Sequence, residues 1–118
     1  MARRLYDCST GASGPTERWI QRYRQLTTHN LPVMARQSHV DWPVKEDHCF
    51  QRVVLDNVFE GAWYEYLNAP AYKHMSCDQA KAAVSLCEAI LTGERNLQEL
   101  NRNSLRWRSK QTAFKFYR

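Results

Sequence analysis

The segment that most restricts the fold is DHCFQRVVLDNVFE, Asp47–Glu60. Placed at 100° per residue, Phe50, Val53, Val54, Leu55, Val58 and Phe59 spread over about two-thirds of a helical turn. A surface helix needs only an apolar stripe, so a helix this apolar must be surrounded by other elements. The pattern predicts a central helix over residues 47–60, enclosed by the rest of the chain. Glu46 and Asp47 place negative charge at its start, where the helix dipole favours it, and Gly61 suits its end. Cys49, Arg52, Asp56 and Glu60 cluster on the one remaining side.

Helical spacing recurs elsewhere. Pro15 suits a first helical position because its missing N–H has no helical partner there, and Trp19, Ile20, Tyr23 and Leu26 line one side of the helix that follows. Pro32 predicts its end, since the residue before a proline is pushed out of the α region. Residues 31–46 read as irregular, with Val33, Met34, Val40 and Trp42 pinning them to the core, and 68–73 reads as a connector. Ser76 and Gln79 form a capping-box pair ahead of a helix running to Thr92, with Gly93 past its end. On that helix Ala80, Ala83, Val84, Cys87, Ile90 and Leu91 share a face. Asn96 caps a further helix with Leu97, Leu100 and Trp107 inward, and QTAFKFYR beyond Lys110 reads as a tail or a final short element. The predicted class is all-α: a compact bundle of four to five helices around the buried helix at 47–60. Residues 1–118 form one domain, with 1–13 and 111–118 expected as flexible ends.

A hydrophobic content of 43% with 12% aromatics argues against a disordered chain. No run of 18 apolar residues is present to span a membrane, and MARRLYDCSTGASGP lacks the apolar region of a secretory signal. The expected location is cytoplasmic. Cys8, Cys49, Cys77 and Cys87 show no metal-type or redox-type spacing and read as free thiols.

The net charge of +5 is unevenly distributed: residues 1–40 sum to +4, residues 41–99 to −5 and residues 102–118 to +6. Basic ends of this kind either meet an anionic partner or pair with the acidic middle. Arg102, Arg106 and Lys110 recur every fourth residue, and Arg108, Lys115 and Arg118 extend the basic face among Phe114, Phe116 and Tyr117. Interleaved cations and rings suit phosphates and stacked bases.

On the central helix His48, Gln51, Arg52 and Leu55 share a side. Two readings stand. Their polar groups satisfy backbone groups of residues 31–46, or they line a pocket facing Trp63 or Tyr64. Adjacent His48 and Cys49 point about 100° apart, so a Cys49 nucleophile would need His39 or His74 instead. The histidine and cysteine spacing matches no local zinc pattern, so no metal ligand and no cofactor is assigned.

EDHCFQRVVLDNVFEGAWYEYL, PAYKHMS and LNRNSLRWRSK resemble segments of small bacterial proteins labelled as related to the general N-acetyltransferases, over roughly residues 40–110. That superfamily has a mixed α/β fold and holds acetyl-CoA on a Gln/Arg-x-x-Gly-x-Gly/Ala loop. The four glycines here do not form that pattern, so no acetyl-CoA residue is assigned.

The leading expectation is a small basic helical binding or accessory protein. Its partner is nucleic acid or an acidic protein surface, and Arg102, Arg106, Arg108, Lys110, Lys115 and Arg118 make the contacts. One alternative is a transferase-like enzyme, with His48 as acid/base, Gln51 and Arg52 orienting a substrate and Cys49 as the possible nucleophile. Another is a structural subunit of a larger assembly.

Overall fold

The computed structural model describes residues 14–37 and 39–116, with side-chain surroundings through Ser109. The expected flexible segment 1–13 and the expected anion contacts Lys110, Lys115 and Arg118 lie outside the described residues or side chains. Among the described residues there are α-helices and no strand: α1 Pro15–Gln25, α2 Leu31–Ala35, α3 Asp47–Phe59, α4 Cys77–Thr92 and α5 Leu97–Phe116. Single 3₁₀ turns at Trp63–Glu65 and Ala71–Lys73 lie between α3 and α4. None of the helices is long and apolar enough to cross a membrane.

The rod that begins at Pro15 does not stop at Pro32. A π turn, Leu26–Asn30, joins α1 to α2, and the Leu31 N–H donates to Leu26 O, five residues back. In an unbroken α-helix the Pro32 ring would crowd the carbonyl four residues earlier. The wider turn just ahead of it shifts the register and lets the helix continue to Ala35. Threonine hydroxyls support the carbonyls where the register changes: Thr27 Oγ1 donates to Tyr23 O at 3.0 Å and Thr28 Oγ1 to Arg24 O at 2.6 Å. Because the backbone stays helical, Val33 turns outward and is 43% exposed, while Leu31, Pro32 and Ala35 are buried. The following stretch is pinned by buried Val44 and by Trp42, whose ring meets Phe50 edge-on at 5.8 Å.

The core joins these elements along α3 and α4. The rod α1 packs on α4, α3 packs on both α4 and α5, and the π turn touches α3 and α4. Phe50, Val53, Val54 and Leu55 of α3 are buried together with Leu26, Leu31, Val84, Cys87 and Leu100. Each full burial of a large apolar side chain stabilises by about 1.5–3 kcal/mol. The central helix expected at 47–60 is therefore present and enclosed.

Its end differs in one respect. Glu60, not Gly61, takes the left-handed conformation, at φ 56°, and the Gly61 N–H closes the helix on Asp56 O at 3.0 Å. Gly61 is needed for space, since a Cβ there would lie 3.0 Å from Tyr66 Oη. The Tyr66 ring is held over Gly61 by stacking on Phe59 at 5.4 Å. The α4 capping box forms in full: Ser76 Oγ accepts from the Gln79 N–H at 3.1 Å and Gln79 Oε1 accepts from the Ser76 N–H at 2.8 Å. Gly93 ends α4 at φ 87°. Asn96 Oδ1 accepts from the Gln98 and Glu99 N–H groups at the start of α5, which continues to Phe116 rather than breaking near Lys110.

The expectation of four free thiols needs correction. Cys49 and Cys87 are free, whereas Cys77 is disulfide-bonded. Spacing along a sequence does not report which sulfurs the fold brings together.

Candidate functional site

The polar side of α3 is covered by α5. Asp56 is fully buried, although it belongs to the residues that periodicity set apart from the apolar arc. Its Oδ2 accepts from Ser104 Oγ at 2.6 Å and Arg108 Nε at 2.7 Å, and its Oδ1 accepts from the Trp63 N–H at 3.0 Å and Arg108 Nη2 at 3.2 Å. Ser104 in turn accepts from Arg52 Nη1 at 2.8 Å, while Arg52 Nη2 donates to Asn101 Oδ1 at 2.9 Å. Two helices thus meet through polar stripes: Arg52 and Asp56 on α3, and Asn101, Ser104 and Arg108 on α5. Asn57 adds to this seam, donating to Val53 O and Leu100 O and accepting from Asn103 Nδ2.

Arg108 was expected to contact an anionic partner. The structure joins it to Asp56 and leaves its side chain 28% exposed, with the guanidinium 5.1 Å from the Tyr64 ring centroid. A charge-assisted pair of this geometry is stronger than an exposed one, because water is excluded from its carboxylate side. Arg22 of the N-terminal basic region likewise meets Glu88 at 3.4 Å. Cations from both basic regions therefore pair with the acidic middle of the chain. Arg102 and Arg106 are exposed on α5, and Arg106 donates to Asn103 Oδ1 at 3.1 Å.

The other side of this seam borders a cleft of about 540 Å³. Tyr23, Arg24 and Thr28 line it from the α1 rod, and Asp47, His48, Gln51, Arg52 and Leu55 line it from α3. Trp63 and Ala69–Tyr72 complete the lining. His48, Gln51, Arg52 and Leu55 were expected to share a face, and they border one cavity together with Trp63. Tyr64 stands beside Arg108 instead.

The alternative partners, backbone groups of residues 31–46, are not the ones the structure gives them. Gln51 Nε2 donates to Thr27 Oγ1 of the π turn at 3.2 Å, and Arg52 donates to α5. The physical reason is the continued rod: it brings Thr27, rather than a loop, against α3.

The cations of the cleft differ from the other half-buried arginines, Arg22 and Arg108. The Arg24 guanidinium lies 3.9 Å from the Tyr72 ring centroid. Arg52 is half-buried and donates only to a neutral hydroxyl and a neutral amide. Among the described residues neither arginine has a carboxylate at ion-pair distance. Asp47, the one carboxylate of the lining, accepts from the His48 backbone N–H at 2.6 Å, and its Oδ1 is 3.5 Å from His48 Nδ1. His48 itself stands at the rim with its side chain 78% exposed.

Tyr23 is buried at the back of the cleft, and desolvation raises its phenol well above the ordinary tyrosine value. It is neutral there. Behind it, burial pushes the Cys87 thiol up to about 12, Glu88 acting in the same direction and Arg22 against it. Cys49 packs half-buried against the core. Among the described residues no three His, Cys, Asp or Glu side chains come together as a metal-binding group.

The sequence reading missed Asp56, Ser104 and Asn101. The available signal was a second stripe on α5, with Asn101, Ser104 and Arg108 three, four and seven residues apart, facing the side of α3 that carries Arg52 and Asp56. Compared with protein-family profiles, characterised proteins and solved structures, the chain matches none of them.

Proposed function

We propose that this chain acts as a small helical binding protein for an anionic partner, and that the cleft between the α1 rod and α3 is where the anion sits. One observation carries the reading. Half-buried Arg52 borders the cavity together with exposed Arg24, and among the described residues neither has a carboxylate, whereas the other half-buried arginines, Arg22 and Arg108, each hold one. A half-buried guanidinium bonded only to neutral groups has lost part of its hydration without gaining a counter-charge. An entering carboxylate or phosphate supplies that charge through charge-assisted hydrogen bonds.

Titration of the full chain with acetate and with inorganic phosphate, followed by nuclear magnetic resonance, tests this. The expected result is saturable shifts at His48, Gln51 and Arg52. Arg52→Gln should weaken binding by roughly 10- to 100-fold, the equivalent of about 1.5–3 kcal/mol for a hydrogen bond to a charged group. Arg24→Gln, on an exposed side chain, should weaken it less and leave the fold intact. Shifts confined to residues outside the cleft overturn the reading.

The nucleic-acid reading rests on a separate observation: Arg102 and Arg106 stand exposed on α5 with no carboxylate partner among the described residues. It predicts that an oligonucleotide binds with a steep salt dependence and that Arg102→Glu/Arg106→Glu removes the binding. Binding that ignores both changes would leave α5 without that role. The same cleft also carries the enzymatic alternative, with His48 beside Asp47 as the acid/base group, and it predicts that any turnover of a bound anion is lost in His48→Gln while binding persists.

A further inference from the structure

The charged groups of the cleft come from its helices, Arg24 from α1 and Asp47, His48 and Arg52 from α3, with Thr28 and Gln51 beside them. The chain that links α3 to α4 adds Trp63, Ala69, Pro70, Ala71 and Tyr72 to its apolar lining, beside Leu55 of α3. An inorganic anion would use the first set and leave the second against water. At about 540 Å³ the cleft instead has the size of an organic-ligand site.

Charge narrows the class further. Two arginines and a rim histidine are opposed by Asp47, so the site suits one negative charge and not a polyphosphate. The aromatic lining narrows it again. Trp63 and Tyr72 both border the cavity, and Tyr72 already has a planar guanidinium against its ring.

The two recognition elements are also held in place by one buried group. Asp56 Oδ1 takes the backbone N–H of Trp63, and Asp56 Oδ2 takes the hydroxyl of Ser104, which accepts from Arg52. The aromatic wall and the cationic head-group site are therefore tied to the same carboxylate before any ligand arrives. Such preorganisation lowers the ordering entropy lost on binding. We infer that the cleft takes an aromatic carboxylate: a monoanion whose planar body lies against Trp63 and Tyr72 and whose carboxylate bonds Arg52 and Arg24. This rests on the anion-binding reading above and adds the apolar half of the ligand.

The test compares four probes on the full chain by calorimetry: naphthalene-2-carboxylate, cyclohexanecarboxylate, acetate and the neutral 2-naphthylmethanol. Naphthalene-2-carboxylate should bind roughly tenfold or more tighter than acetate, because its rings bury apolar area that acetate lacks. It should also bind tighter than the neutral alcohol and than the saturated ring. Arg52→Gln and Trp63→Leu should each weaken it, and Tyr72→Leu, outside the buried network, gives a variant that keeps the Asp56 contacts.

If the three carboxylates bind equally and Arg52→Gln weakens them all, the anion site stands and the aromatic inference falls. Equal binding of the alcohol and the naphthoate overturns the role given to the arginines. A saturated ring that binds as well as the naphthoate overturns the stacking. Absence of binding by every probe, acetate included, overturns both this inference and the reading beneath it.

Discussion

Asp56 accepts four hydrogen bonds on its two oxygens and has no exposed surface, so its removal is the most informative single perturbation of this fold. Asp56→Ala leaves three groups to recover separately. The Arg108 guanidinium, 28% exposed, regains water over part of its surface. The Ser104 hydroxyl is fully buried but still accepts from Arg52. The Trp63 N–H loses its side-chain acceptor. Removing one partner of a fully buried ion pair costs about 3–5 kcal/mol. Discounted for the exposed side of Arg108, the expected loss is about 2–4 kcal/mol.

That loss is a large share of the roughly 5–15 kcal/mol of a typical domain. Urea unfolding followed by circular dichroism measures it. At a slope of about 2 kcal/mol/M the midpoint should fall by roughly 1–2 M, with the slope unchanged. A double-mutant cycle with Arg108→Ala should return a coupling of about 1–2 kcal/mol, whereas the same cycle on Arg22 and Glu88, whose side chains are 41% and 50% exposed, should return less than about 1 kcal/mol. An Asp56→Ala loss below about 1 kcal/mol, or strict additivity with Arg108→Ala, would refute the role assigned to the seam.

Other expected outcomes concern the caps and the core. Glu60→Gly should stabilise the chain by roughly 0.5–1 kcal/mol, because it relieves the left-handed backbone at φ 56°. Gly61→Ala should destabilise it modestly by displacing Tyr66, visible as loss of the Phe59–Tyr66 ring contact in resonance spectra. A stability change of the same sign in both variants would contradict this assignment of roles. Ser76→Ala removes the capping box and should lower stability to thermal unfolding by about 1 kcal/mol, while Ser85→Ala, exposed within the same helix, should not reproduce that loss. At alkaline pH the buried Cys87 keeps its proton in the folded state to about 12, against 9.0 for an ordinary thiol. The unfolded chain then holds fewer protons above pH 9, so stability should be intact below that pH and fall through the window by up to about 1.4 kcal/mol per pH unit. Tyr23, also raised by burial, adds to the fall above pH 10. Urea midpoints measured against pH for the wild type and Cys87→Ala check the assignment: the difference between them should vary above pH 9 and be constant below it.

Local physical chemistry was readable residue by residue. Phe50 to Phe59 identify the enclosed helix because an apolar arc that wide has no stable place on a surface. Ser76, Gln79, Gly93 and Asn96 mark helix ends because capping is a contact between residues only a few positions apart. The shared face of His48, Gln51 and Arg52 is equally local, since 100° per residue sets it.

Contacts between distant segments were not readable in this way. Pro32 signals a break, yet the π turn carries the rod past it, and that turn is supported by Thr27, which Gln51 meets across 24 residues. Asp56 looks like a surface carboxylate until α5 places Ser104 and Arg108 on it, 48 and 52 residues away. Arg108 looks like a free cation for the same reason. Whether a charged side chain faces water or a partner depends on which helix covers it, and that is settled when the whole chain packs: the acid and the base are individually costly to bury and tolerable only as a pair. The helices follow from neighbours in sequence; the seam, and the cleft beside it, follow from which helices meet.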